Sequence, residues 1–133
     1  MNLEKVIFGF FILLALTLNF GFFIGDIDNP HHHHAYELYV AIVVNLIATV
    51  LKFGDRTHIG AIHLATSLVA DLQLIAAAIL WAAAGTQGDD PSVIVSVVSL
   101  SGGALLANIT SVVLLIAETI QIKGQGKRKA ATP

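Results

Sequence analysis

One stretch limits what this chain can fold into: Gly60 to Gly85, GAIHLATSLVADLQLIAAAILWAAAG. It contains no Lys or Arg, and its single acid, Asp71, sits near the middle. Wound as a helix at about 1.5 Å per residue, it crosses a hydrocarbon core of about 30 Å with a little to spare. An ionisable group at that depth costs about 2.5 to 3.5 kcal/mol on insertion scales, so Asp71 needs a partner or water. The chain therefore reads as a membrane protein with a polar group lodged inside.

Three more apolar runs surround this one. Only 12% of the 133 residues are charged, and mean hydropathy is +0.80. A soluble domain carries about 25% charged residues. The first run, Val6 to Gly25, exceeds the roughly 7 to 15 residues of a signal-peptide core, and Asn19-Phe20-Gly21 is a poor cleavage site, so it is read as a retained helix. Glu37 to Phe53 is the second run, opened by Tyr36 and Tyr39 as interfacial anchors and ended by Lys52, which can snorkel. The short connection Gly54-Asp55-Arg56-Thr57-His58 makes runs two and three antiparallel neighbours, and Trp81 anchors the far end of run three. After the turn TQGDDP, Pro91 and Ser92 suit a helix start, with Asp89 and Asp90 beside the positive end of the dipole. Run four, Ser92 to Ile122, exceeds the roughly 20 residues a span needs, so it tilts, projects or loosens at Ser101-Gly102-Gly103. The expected architecture is an all-α, antiparallel four-transmembrane-helix bundle in a single domain, residues 1–123, with helices near 5–25, 36–53, 58–85 and 91–122. A basic disordered tail, residues 124–133, is expected to follow.

The basic residues give the orientation. Lys5, Lys52, Arg56, Lys123, Lys127, Arg128 and Lys129 all fall on one side if four helices cross, and Asp26, Asp28, Glu37, Asp89 and Asp90 fall on the other. By the positive-inside rule both termini are cytoplasmic, and a bacterial inner membrane is the expected location. So short a bundle buries little alone, so a homo-oligomer is expected. Lys127-Arg128-Lys129 can attract anionic lipid, although a topology signal accounts for them equally well.

Each run carries polar or small residues at helical spacing on one face. These are Ala15, Asn19 and Asp26 in run one, and Glu37, Ala41, Asn45, Thr49 and Lys52 in run two. Run three has Gly60, Ser67, Asp71, Ala78 and Ala82, and run four has Ser101, Ala104, Asn108, Ser111 and Glu118. Ser99, Gly103, Ala107 and Ser111, four apart, form a helix-packing seam. Asn19, Asn45 and Asn108 are read as interhelical glue or as pathway lining. Asp71 shifts the balance, because an intramembrane acid is a functional group by default. With Ser67, Gln73, Asn45, Asn108 and Asn19 it forms a candidate ion pathway for a cation or a proton. Copies in an oligomer would bring these acids into a selective ring. His63 is a possible relay but reads first as a hydrogen-bonded interfacial residue, and His58 belongs to the turn. Glu118 is expected to pair with Lys52 or Arg56 at the same depth, fixing helix packing.

His31, His32, His33 and His34 are a candidate metal site or pH sensor, since imidazole is a common ligand that titrates near neutrality. Consecutive loop residues converge poorly on one ion, so a solvated loop is the favoured reading. The absence of cysteine excludes disulfides and thiolate chemistry, and a net charge of −2 with no basic face outside the last few residues argues against nucleic acid. No nucleophile triad, P-loop, HExxH or TVGYG sequence occurs, so neither an enzyme nor a cofactor is expected. The leading expectation is a small oligomeric cation channel or carrier centred on Asp71. The alternative is an accessory or assembly subunit of a larger membrane transporter or complex, with no flux of its own.

Overall fold

The computed structural model describes residues 3–24, 35–84 and 91–131, which form four α-helices. These are α1 (Leu3–Phe23), α2 (Ala35–Lys52), α3 (His58–Ala84) and α4 (Pro91–Ala131). Among the described residues there is no strand. Three of the helices, α1, α3 and α4, are long and apolar enough to cross a membrane. The fourth, α2, has 18 residues and is about 27 Å long.

The helix ends follow local chemistry. Pro91 occupies the first turn of α4, where its missing N–H is not needed. Thr57 caps α3: its hydroxyl accepts from the Gly60 N–H at 3.0 Å, and its carbonyl accepts from the Ala61 N–H at 3.0 Å. Asp55 braces that cap, accepting from the Thr57 N–H at 2.9 Å and the Thr57 hydroxyl at 2.7 Å. These bonds hold the Asp55 carboxyl below its ordinary value of 3.8, with nearby Lys52 pulling the same way against partial burial.

The buried positions repeat at three- and four-residue steps. They are Phe8, Ile12, Ala15, Asn19 and Phe22 in α1, and Leu38, Ala41, Val44, Asn45, Ala48, Thr49 and Lys52 in α2. In α3 they are Gly60, His63, Ser67, Ala70, Asp71, Leu74 and Ala77, and in α4 Ile94, Val97, Val98, Ser101, Ala104, Leu105, Asn108, Ser111 and Glu118. An alternation averaging 3.5 residues is the seam of helices packed nearly antiparallel, knobs into holes. Each helix packs on its neighbour in sequence, and α4 closes the ring against α1. Outward-facing positions are large and apolar, including Phe10, Val43, Val50, Leu72, Ile79, Leu106 and Val113. Such a surface suits lipid and would aggregate in water.

The main departure from expectation is in α4. It does not stop near Ile122 but runs through Lys123, Lys127, Arg128 and Lys129 to Ala131, a helix of 41 residues. At about 60 Å it is roughly twice the thickness of a hydrocarbon core. Apart from Gly124 and Gly126, the extension is rich in Gln, Lys, Arg and Ala, all good helix formers, and its cations sit at the negative end of the dipole. Every residue from Thr119 to Ala131 is exposed.

Candidate functional site

The seam places a column of polar side chains along the bundle axis. Asp71 is its centre and is only 4% exposed. Its Oδ1 accepts from Asn45 Nδ2 at 2.6 Å, and its Oδ2 lies 2.6 Å from the Thr49 hydroxyl. Asn45 Nδ2 also donates to the Ser67 carbonyl at 3.2 Å, which fixes the amide orientation, because a carbonyl can only accept. The Thr49 hydroxyl is 3.0 Å from the Asn45 carbonyl. Asp71 thus ties α3 to α2 of its own chain. It is turned into the bundle of its own chain, so a ring of acids built from several chains does not follow from this geometry.

The antiparallel register orders the rest. Toward the end carrying Lys5, Lys52 and Arg56, here the basic end, Ser111 donates to Thr66 across α3 and α4 at 2.6 Å, since the Thr66 hydrogen goes to the His63 carbonyl at 2.9 Å. Asn108 lies between that contact and Gln73, which faces Gly103, so it is near Asp71 in depth. Beyond it, Asn19 and Ser101 hydrogen-bond side chain to side chain at 2.7 Å, joining α1 to α4. The far end is sealed by Phe22, Leu38, Leu74, Ala77 and Val97, with the edge of Trp81 against Phe22.

At the basic end lies a cavity of about 470 Å³, lined by Glu4, Lys5, Lys52, Asp55, Arg56, Thr57 and Glu118 among others. Lys5 forms an ion pair with Glu118, linking α1 to α4. Lys52 stands 4.3 Å from the centre of the Phe8 ring and 3.4 Å from Asp55 Oδ2. Glu118 therefore pairs with neither Lys52 nor Arg56. Depth alone made them candidates, but α2 stands diagonally across from α4, whereas α1 is its neighbour.

His63 is fully buried, edge-on to Phe8 at 5.2 Å between ring centres, with Nε2 3.7 Å from Glu118 Oε2. The hydrogen-bonded interfacial histidine expected from the sequence is absent, because neither ring nitrogen has a hydrogen-bond partner in the chain. The same is true of Ser67 Oγ, Asn45 Oδ1, Gln73 Oε1, both amide atoms of Asn108 and Glu118 Oε2. Buried polar atoms left bare cost about 1 to 3 kcal/mol each, so a column of them calls for water or an ion.

Of the expected pathway residues, Asp71, Asn45, Ser67, Asn108 and Asn19 are all buried in the bundle, and Gln73 is half-buried against α4. The residues of the expected packing seam differ in burial. Ser111 is buried and Gly103 and Ala107 are half-buried, but Ser99 is exposed. Four-residue steps advance about 40° each on a helix of 3.6 residues per turn, so Ser99 lies about 120° from Ser111 and cannot share its neighbour. Lys5, Thr66 and Thr57 were missed. Only Thr57, a threonine ahead of a helix, carried a local signal. His31, His32, His33 and His34 lie outside the described residues, as does Asp26.

The fold and its surface define a multi-pass helical membrane protein with a polar interior. Residues 32–119 match the model of a family of unknown function (DUF6394), and the chain belongs to that family. No curated protein and no solved structure matches it.

Proposed function

We propose that this protein moves a cation across the bilayer, with Asp71 as the group the ion must pass. The observation that carries the reading is the acid's position. It is buried inside the bundle, bonded to Asn45 and Thr49, and flanked by polar atoms that need water or an ion. In this reading α2 is the fourth span, both termini lie on the cytoplasmic side, and the location is a bacterial inner membrane. The apolar seal at the far end favours a carrier that opens its two ends in turn over a permanently open channel. Copies assemble through the lipid-facing surfaces, and each bundle keeps its own pathway.

The test is flux into vesicles containing the purified full chain, measured for several cations beside Asp71→Asn. The substitution keeps the shape and removes the charge. Flux in the wild type and its loss in the variant, with assembly unchanged, is the expected result. Equal flux in both removes Asp71 from the pathway.

A second reading, an accessory subunit without flux, is favoured by the exposed α4 extension and by a shallow groove between α3 and α4. The groove is lined by Ala65, Val69, Gly103, Ala107 and Thr110. It predicts co-purification with a larger membrane protein, lost in Gly103→Leu, and no flux from the purified chain.

A further inference from the structure

The donors around Asp71 discriminate between cargoes. A metal cation needs about six oxygen ligands turned toward it. Here one amide hydrogen of Asn45 points at Oδ1 and the other at the Ser67 carbonyl, which bars the opposite orientation. Oδ2 faces Thr49, whose single hydrogen has two acceptors within reach, Oδ2 at 2.6 Å and the Asn45 carbonyl at 3.0 Å. The count closes when Oδ2 itself bears a hydrogen and donates to Thr49, which donates to Asn45. The site is shaped to hold a proton on a carboxyl group.

A route to it begins at the basic-end cavity. Glu118 lines that cavity, and its Oε2 lies 3.7 Å from His63 Nε2. His63 is walled in by Phe8 and lies in the field of Lys52 from α2, Glu118 from α4, Asp55 from the turn and Lys5 from α1. Ser67, one turn further along α3, has a buried hydroxyl with no partner and lies midway to Asp71, a rise of about 12 Å over the eight residues from His63.

We propose that the ion moved is the proton, and that Glu118 and His63 carry it from the basic-end cavity to Asp71. This rests on the transport reading above and names its cargo and its entry. Glu118 takes a proton from cavity water and gives it to Nε2 of His63. The imidazolium releases the proton on Nδ1, and the Ser67 hydroxyl with intervening water delivers one to Oδ2 of Asp71 once that oxygen has given up its own to the opposite side of the bilayer. The neutral ring then returns its remaining hydrogen from Nε2 to Nδ1, so no charge is left on it.

The full chain in phospholipid vesicles enclosing a pH-sensitive dye, under an imposed membrane potential, tests this, with Na⁺ and K⁺ fluxes read in parallel. Proton flux without Na⁺ or K⁺ flux is expected, and His63→Gln and Glu118→Gln should each slow it by roughly 10²-fold, the low end for one positioned proton-transfer group. Metal-cation flux without proton flux overturns the proton as cargo and leaves the wider transport reading standing. No flux of any ion overturns both. Undiminished proton flux in His63→Gln and Glu118→Gln overturns the entry route. Infrared spectroscopy of the wild type supplies a readout independent of variant folding. A carbonyl band of a protonated carboxylic acid, absent in Asp71→Asn, is expected, and its absence from the wild type overturns the proton-bearing Asp71.

Discussion

Truncating Asn45 to alanine removes the amide that reaches from α2 to Asp71 Oδ1 at 2.6 Å. Its second bond, to the Ser67 carbonyl at 3.2 Å, counts for less, because that carbonyl is already engaged within α3. One interhelical hydrogen bond inside a membrane bundle contributes about 0.6 to 1.7 kcal/mol. The space left by the missing amide adds about 1 kcal/mol of lost packing. Asn45→Ala should therefore destabilise the bundle by roughly 1.5 to 3 kcal/mol. Much of that loss is shared with Asp71→Ala. The double variant should fall short of the sum by about 1 kcal/mol, or about fivefold in the unfolding equilibrium. The assay is unfolding of the full chain in mixed micelles by a denaturing detergent, followed by circular dichroism for wild type, both single variants and the double variant. Pairing Asp71→Ala with Thr110→Ala, on the exposed face of α4, should give additive effects. A coupling between Asn45 and Asp71 within about 0.3 kcal/mol of zero would mean that the two side chains do not bond in the folded protein.

Other outcomes follow from the connection and the extension. Thr57→Ala should cost about 1 kcal/mol in the same unfolding assay, because the Gly60 N–H loses its cap. Gly60→Ala should also destabilise, since its new Cβ would fall 2.5 Å and 2.6 Å from the two Asp55 carboxylate oxygens and push them off Thr57; an unchanged stability would show that the turn is soft. The Asp55 carboxyl titrates below 3.8 when folded, so its contribution is complete above that pH and is lost as the pH falls through its lower folded value. Acid titration of stability should show that loss in the wild type and a shallower one in Asp55→Asn. Ending the chain after Lys123 should leave the unfolding midpoint unchanged, because residues 124–131 are exposed; a lower midpoint would place them against the bundle.

The helices and the inward face of Asp71 were legible because both depend on periodicity along one chain. All five stripe residues of run four, Ser101, Ala104, Asn108, Ser111 and Glu118, are buried. What the sequence could not supply was azimuth between helices. Glu118 was matched to cations by depth, whereas its partner Lys5 was set by which helix stands beside α4. Ser99 lies on the exposed face because a four-residue repeat drifts around the helix while the buried face follows three-and-four alternation. His63 was harder still. Its burial beside Phe8 depends on how α1 closes the ring, a long-range contact with no local trace. The length of α4 was hidden by hydropathy, which reports where a segment leaves lipid and not where its backbone unwinds.

The seal of Phe22, Leu38, Leu74, Ala77 and Val97 also determines where a voltage would fall. A membrane potential drops across the insulating part of a protein, and here that part runs from the far seal to a second apolar cluster of Phe8, Ile12 and Ala48, with only the cavity and charged groups of the basic end outside it. The electric field therefore falls across both clusters and is spared only at the cavity. In the transport reading, a unit charge crossing the whole layer meets about 2.3 kcal/mol for each 100 mV, divided between the two sides of Asp71.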